Sequence, residues 1–110
     1  MGAIGAGDIG LHFPDTDMQY KNIDSKLLLQ KSYAILQEKG YDIVNIDTNI
    51  CLQAPKIKPY VMSMRETIAK IVEISIDDVS IKATTTEQLG FVGREEGIVA
   101  YATVLIKKKD

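Results

Sequence analysis

Apolar residues recur along this chain with two different periods, and the switches between them predict its elements. Leu28, Leu29, Ser32, Ile35 and Leu36 fall at i, i+1, i+4, i+7 and i+8, the spacing of one helix face. Asp24 or Ser25 can serve as N-cap of this helix, which runs to Lys39 and stops at Gly40. The period then becomes two. From about Asp42 to Leu52, Val44, Ile46, Thr48, Ile50 and Leu52 alternate with Asn45, Asp47, Asn49 and Cys51, so one face of this strand is wet or lines a site. Gln53-Ala54-Pro55-Lys56 breaks the strand. Pro59 suits the first turn of a second helix through about Glu73, with Val61, Met64, Ile68, Ile71 and Val72 as its buried stripe. Ser75 caps a short turn at Ile76-Asp77-Asp78, and Val79 to Ala83 reads as a strand ending in Thr84-Thr85-Thr86-Glu87. A loop from Gly90 to Arg94 feeds a last strand from about Glu96 to Lys107.

Both alternating sets of that last strand, Ile98, Ala100, Ala102, Val104, Ile106 and Val99, Tyr101, Thr103, Leu105, are mostly apolar. Such a strand needs cover on both faces. Helices can cover one, and a neighbouring subunit is the economical cover for the other. The order helix, strand, helix, strand, strand indicates an α+β or α/β sandwich with helices packed on one side of a sheet.

Composition narrows this to one domain over residues 1–110, with 45% hydrophobic and 25% charged residues. The net charge is -2 and the 13 basic residues are dispersed, which argues against a nucleic-acid binder. The one basic run, Lys107 to Lys109, reads as a solvated tail. Cys51 is the only cysteine and His12 the only histidine, so neither an intrachain disulfide nor a Cys/His zinc cluster is expected. A reducing, cytoplasmic compartment is expected, with no membrane partner. Residues Met1 to Gly7 carry no positive segment and no long apolar run, hence no signal peptide or spanning helix. This Gly/Ala stretch suits the tail of a helix.

Several short constellations carry chemistry, each with a plain alternative. Gly5-Ala6-Gly7-Asp8-Ile9-Gly10 matches G-x-G-x-x-G but follows no strand, so it reads as a helix end and turn rather than a dinucleotide fingerprint. Phe13-Pro14-Asp15-Thr16-Asp17 is a turn whose carboxylates can fix hydroxyls or a metal, or simply face solvent. Lys56 in Gln53-Ala54-Pro55-Lys56 is a point charge for phosphate or a solvated lysine. Thr84-Thr85-Thr86 at a strand end offers three hydroxyls beside backbone N–H groups, a cup for phosphate oxygens, or else a β-branched strand end with a capping threonine. Glu87 beside it suits magnesium or manganese, which bind through one or two carboxylates plus substrate phosphates. Arg94, in the glycine loop with Phe91, can grip phosphate bidentately or pair with Glu95 or Glu96. His12 reads as a partly exposed loop residue rather than a catalytic base.

In their order and spacing, GDIG-x-x-FPDTD, QAPK and KATTTE-x-LGF-x-GR-x-EGI resemble the 2-C-methyl-D-erythritol 2,4-cyclodiphosphate synthase family over the whole chain. The resemblance implies a homotrimer of α+β subunits with active sites between neighbours, in the non-mevalonate route to isoprenoids. The implied reaction is cyclisation of 4-diphosphocytidyl-2-C-methyl-D-erythritol 2-phosphate with release of CMP. Asp8, Ile9 and Gly10 would contact the methylerythritol part, and Phe13, Pro14, Asp15, Thr16 and Asp17 would line the same region. Leu52, Gln53, Ala54, Pro55, Lys56, Ile57 and Lys58 would form the cytidine pocket. Thr84, Thr85 and Thr86 would bind phosphate, with Thr85 stabilising the transition state and Glu87 holding magnesium or manganese. Phe91 and Arg94 would complete the binding set, with Arg94 and Glu96 near the trimer axis.

The family's zinc is held by an Asp-x-His pair and a further His, none of which matches a position here. Its first strand, a hairpin and most of its first helix are likewise expected upstream of Met1. The expectation is therefore impaired turnover by these 110 residues, with a functional link to a cytidylyltransferase partner. The rival expectation is a trimeric CDP- and phosphate-binding module without catalysis.

Overall fold

In the computed structural model, which describes residues 1–110, the chain divides into two compact units: Met1–Ile43 with Ile106–Asp110, and Val44–Leu105. The first unit opens with a single 3-10 turn, Gly2–Ile4, closed by Gly5 in the left-handed region at φ 68°. A short helix, α1 (Ile9–His12), follows, and then the long helix α2 (Ser25–Glu38). Asp24 is the N-cap of α2, its carboxylate accepting the Lys26 N–H at 2.8 Å. That bond and the adjacent Lys26 ammonium hold the Asp24 carboxyl below its ordinary range. Leu28, Leu29, Ser32 and Ile35 of the predicted stripe are half-buried and Leu36 is buried, so the helical period reads the inward face correctly. Lys109 N–H donates to the Gly40 carbonyl at 2.7 Å, pinning the end of the chain beside the end of α2.

The second unit is built on a parallel pair. Strands β1 (Tyr41–Cys51) and β2 (Val79–Thr84) run in register from Ile46 opposite Val79 to Cys51 opposite Thr84. With β3 (Val99–Lys108) the sheet order is β2-β1-β3. Helix α3 (Val61–Val72) crosses between the parallel strands, as parallel pairing requires. It starts from a 3-10 turn, Lys58–Tyr60, with Pro59 where a missing N–H costs nothing. It stops at Glu73, which takes the left-handed conformation at φ 58° that ends many helices.

The core of this unit is Ile50, Leu52, Ala69, Val79 and Ile81, with Val61, Met64 and Ile68 packed against it. Val72 and Val79 are fully buried, and each contributes on the order of 1.5–3 kcal/mol. Arg65 reaches from α3 to the outer side of β2, donating Nε–H to the Val79 carbonyl at 2.7 Å and Nη2–H to the Ile76 carbonyl at 2.9 Å. This guanidinium covers part of an open strand edge. The unit is α+β, with α3 on one face of a small sheet.

Three expectations change. The loop Gly90 to Arg94 contains a four-residue helix, α4 (Gly90–Gly93), fixed by Gly93 N–H to Leu89 O and Arg94 N–H to Gly90 O, both 3.0 Å. The last strand starts at Val99 rather than Glu96, because Glu95 is left-handed at φ 61° and Glu96 N–H bonds the Phe91 carbonyl at 2.9 Å. The helix cover expected on one face of β3 is not met either, because most residues of both alternating sets are exposed. Ile98, just before β3, is 63% exposed, and within β3 Tyr101 is 63% and Leu105 58% exposed.

Candidate functional site

Parallel strands bring their carboxyl ends to the same side of a sheet, the usual place for ligands in such folds. Here β1 ends at Cys51 directly opposite Thr84, the end of β2, and the ladder extends one residue further through Leu52 N–H to the Thr84 carbonyl at 3.0 Å. Beyond that point the two chains diverge, β1 into the turn at Gln53 to Lys58 and β2 into Thr85 to Leu89. The space between them is a cavity of 220 Å³ lined by Leu52, Gln53, Pro55, Lys56, Ile57, Lys58, Ala83, Thr84 and Thr85. It is smaller than the roughly 300–1,000 Å³ of clefts that enclose a drug-sized ligand. One flat heterocycle fits such a space, with any charged remainder at the rim beside Lys56 and Lys58. The Ala54–Pro55 peptide in its wall is cis.

The three threonines differ in what their hydroxyls have left to offer. Thr84 donates to the Thr85 carbonyl at 3.2 Å, and Thr86 donates to the Leu89 carbonyl at 2.6 Å. Thr85 Oγ1 instead accepts the Glu87 N–H at 3.3 Å. A hydroxyl that accepts still has its own proton to give. Thr85 alone of the three therefore keeps a free donor at the cavity wall; residue type and spacing do not separate it from its neighbours, whereas the family resemblance singles it out.

Glu87 lies on the exposed segment just past Thr85, in left-handed backbone at φ 53°, and no protein group bonds its carboxylate. The chain contains no group of three or more His, Cys, Asp and Glu residues that could hold a metal ion. One free carboxylate matches magnesium or manganese, which complete their shell with phosphates and water. It does not match zinc, which takes three or four protein ligands. The sole histidine is committed as well, its Nε2–H donating to the Ala6 carbonyl at 2.6 Å from the end of α1.

Phe91 and Arg94 do not line the cavity. Phe91 lies beside Gly97, and Arg94 forms a fork with Glu96, Nε to Oε1 at 2.8 Å and Nη2 to Oε2 at 3.2 Å. Of the two roles open to Arg94, the pairing with Glu96 is the one present in this chain. Ala83, which the sequence did not mark, does line the cavity, because an alternate position on a strand shares the face of the residue two along.

The remaining candidates form a cluster in the first unit. Asp8 is the N-cap of α1, its Oδ1 accepting the Leu11 N–H at 2.9 Å, and Ile9 is exposed. Gly10 lies over Asp8, where an added Cβ would be 3.5 Å from Oδ1. Phe13 packs edge-on against Tyr20 at 5.4 Å between ring centres, and the Lys31 ammonium lies 5.9 Å from the Tyr20 ring. Pro14 O accepts the Asp17 N–H at 3.0 Å, closing the turn through exposed Asp15 and Thr16. Both Asp17 oxygens are taken by Gln19, from its N–H and its Nε2–H, each at 3.1 Å.

No helix is long and apolar enough to cross a membrane. The sequence model of the YgbB family matches residues 1–107. The chain is 57% identical over 108 residues to the 2-C-methyl-D-erythritol 2,4-cyclodiphosphate synthase of Bacteroides thetaiotaomicron, an alignment spanning 98% of this chain and 68% of that one. Among solved structures, it is similar to the bifunctional IspDF of Campylobacter jejuni, with TM-score 0.94 and 42% identity over 99% of this chain and 30% of that one. It is also similar to a CDP complex of IspF from Plasmodium falciparum, with TM-score 0.85 and 31% identity over 99% of this chain and 65% of that one.

Proposed function

We propose a function on the premise that this chain belongs to the YgbB family, with relatives named as 2-C-methyl-D-erythritol 2,4-cyclodiphosphate synthases. The reaction is cyclisation of 4-diphosphocytidyl-2-C-methyl-D-erythritol 2-phosphate to the 2,4-cyclodiphosphate with loss of CMP, a lyase step in non-mevalonate isoprenoid synthesis. The observation that carries this reading is the single cavity shared by the Gln53 to Lys58 turn and the Ala83 to Thr85 strand end. The similar Plasmodium falciparum protein was solved with CDP. Cytosine would occupy the apolar part against Leu52, Pro55 and Ile57, and the diphosphate would leave toward Thr84, Thr85 and Lys56.

In the chemical step an oxygen of the 2-phosphate bonds to the β-phosphorus, and the bond from that phosphorus to the bridging oxygen of CMP breaks. Such phosphoryl transfers need positioning and charge neutralisation more than a strong base. Lys56 supplies positive charge at the rim, and the free Thr85 hydroxyl donates to the phosphoryl oxygen as its charge grows. Glu87 would hold magnesium or manganese, which would supply positive charge against the phosphates. The cluster from Asp8 to Asp17 would bind the methylerythritol hydroxyls. Because the donors here do not suit zinc, no step is assigned to it.

The exposed apolar residues Tyr101 and Leu105 of β3 support a homotrimer, in which neighbours would cover what this chain leaves open. The likeness to a bifunctional protein supports a link to a cytidylyltransferase. The test is CMP release from the CDP-linked substrate with magnesium or manganese. The reading expects release that is slower than that of a synthase carrying the zinc ligands, and that Thr85→Val suppresses further. CDP binding at this cavity with no release of CMP would instead favour a non-catalytic binding module.

A further inference from the structure

The segment from Thr85 to Leu89 is irregular, yet its conformation is specified. Glu87 and Gln88 are both left-handed, at φ 53° and 67°, which non-glycine residues adopt only where their surroundings impose it. Three contacts impose it here. Thr86 closes the turn on itself, its hydroxyl donating to the Leu89 carbonyl at 2.6 Å while the Leu89 N–H returns to the Thr86 carbonyl at 3.1 Å. Gly93 of α4 lies so close to the Gln88 backbone that an added Cβ would be 2.1 Å from its carbonyl carbon. The third contact comes from far along the sequence. Gln53 Oε1 accepts the Gln88 N–H at 3.1 Å across 35 residues.

Gln53 also lines the cavity, so this bond ties the segment bearing the Glu87 carboxylate to the cavity wall. We propose that Gln53 is a positioning residue, which holds the Glu87 segment in its cation-binding conformation by accepting the Gln88 N–H. The proposal rests on the reading of Glu87 given above. Without the acceptor, the left-handed pair relaxes for part of the time, and ligands that need Glu87 in place bind only the remaining fraction.

The test is titration calorimetry of CDP with and without manganese on wild type, Gln53→Met and Gln53→Glu. Methionine keeps the length and removes the acceptor, whereas glutamate keeps an acceptor at the same reach. Losing one exposed hydrogen bond predicts that the manganese-dependent gain in CDP affinity, the ratio of affinities with and without manganese on the same variant, falls about five-fold in Gln53→Met, whatever the change in affinity for CDP alone. Gln53→Glu recovers most of that gain. A purely structural role would move the melting temperature without this split. An equal manganese gain in wild type and Gln53→Met, or none recovered by Gln53→Glu, overturns the positioning role alone. A fall in CDP affinity in Gln53→Met that is the same with and without manganese overturns it in favour of a direct contact between Gln53 and the nucleotide. Wild type that gains nothing from manganese overturns the Glu87 reading and this proposal with it.

Discussion

Gly93→Ala isolates the packing that shapes the candidate site. An added Cβ would lie 2.1 Å from the Gln88 carbonyl carbon, 2.6 Å from its Cα and 2.7 Å from its oxygen. Ordinary carbon contacts lie near 3.5–4.0 Å, so α4 and the Gln88 backbone would have to part by more than about 1 Å. No flexible side chain can yield instead, which puts the cost toward the upper end of the usual 1–3 kcal/mol for overpacking. The helix preference of alanine over glycine returns at most about 1 kcal/mol. The net loss is about 2 kcal/mol, or about 8 °C in melting temperature for a chain of this length, read by circular dichroism at fixed protein concentration. Gly97→Ala is the matched control. Its Cβ would meet the Phe91 ring at 3.5 and 3.6 Å, ordinary contact, and its effect should stay within about 0.5 kcal/mol. Gly93→Ala that melts at or above wild type would refute the close approach.

Four further substitutions have defined outcomes. Thr85→Val should lower the rate of CMP release by about 10²–10³, the usual effect of deleting one donor to a developing charge, whereas Thr86→Val, which opens the turn on Leu89, should lower stability by about 1 kcal/mol. Lys56→Ala should weaken CDP and reduce the salt dependence of its binding, with cytidine affinity unchanged, as titrations at two ionic strengths would show. The Asp24 carboxyl is depressed when folded, so its support of α2 is present above the ordinary aspartate value of about 3.9 and is lost as pH falls through the lower folded value. Acid unfolding of Asp24→Asn should lack that component.

The elements with a full stripe were legible almost to the residue. Strand β1 was expected from about Asp42 to Leu52 and runs Tyr41–Cys51, and α2 keeps its inward face, because each buries a periodic apolar set. Helix α4 was not legible, since four residues flanked by glycines show no period. The start of β3 was read early because apolar alternation cannot reveal that Glu95 turns left-handed. At the site, the motif letters marked the Gln53 to Lys58 turn and the Thr84 and Thr85 strand end, and these line one cavity. They could not show where Arg94 points, because its guanidinium has a carboxylate two residues away. The resemblance singled out Thr85 from Thr84 and Thr86, but the physical difference lies in hydroxyl partners, which three identical letters cannot show.

The central claim is that the β1 turn and the β2 strand end form one nucleotide site. A crystal structure of the protein with CDP tests it most directly. The account predicts cytosine between Leu52 and Lys58, with the phosphates in hydrogen-bond reach of Thr84 and Thr85. A nucleotide bound elsewhere, or one whose phosphates turn away from the threonines, would contradict it.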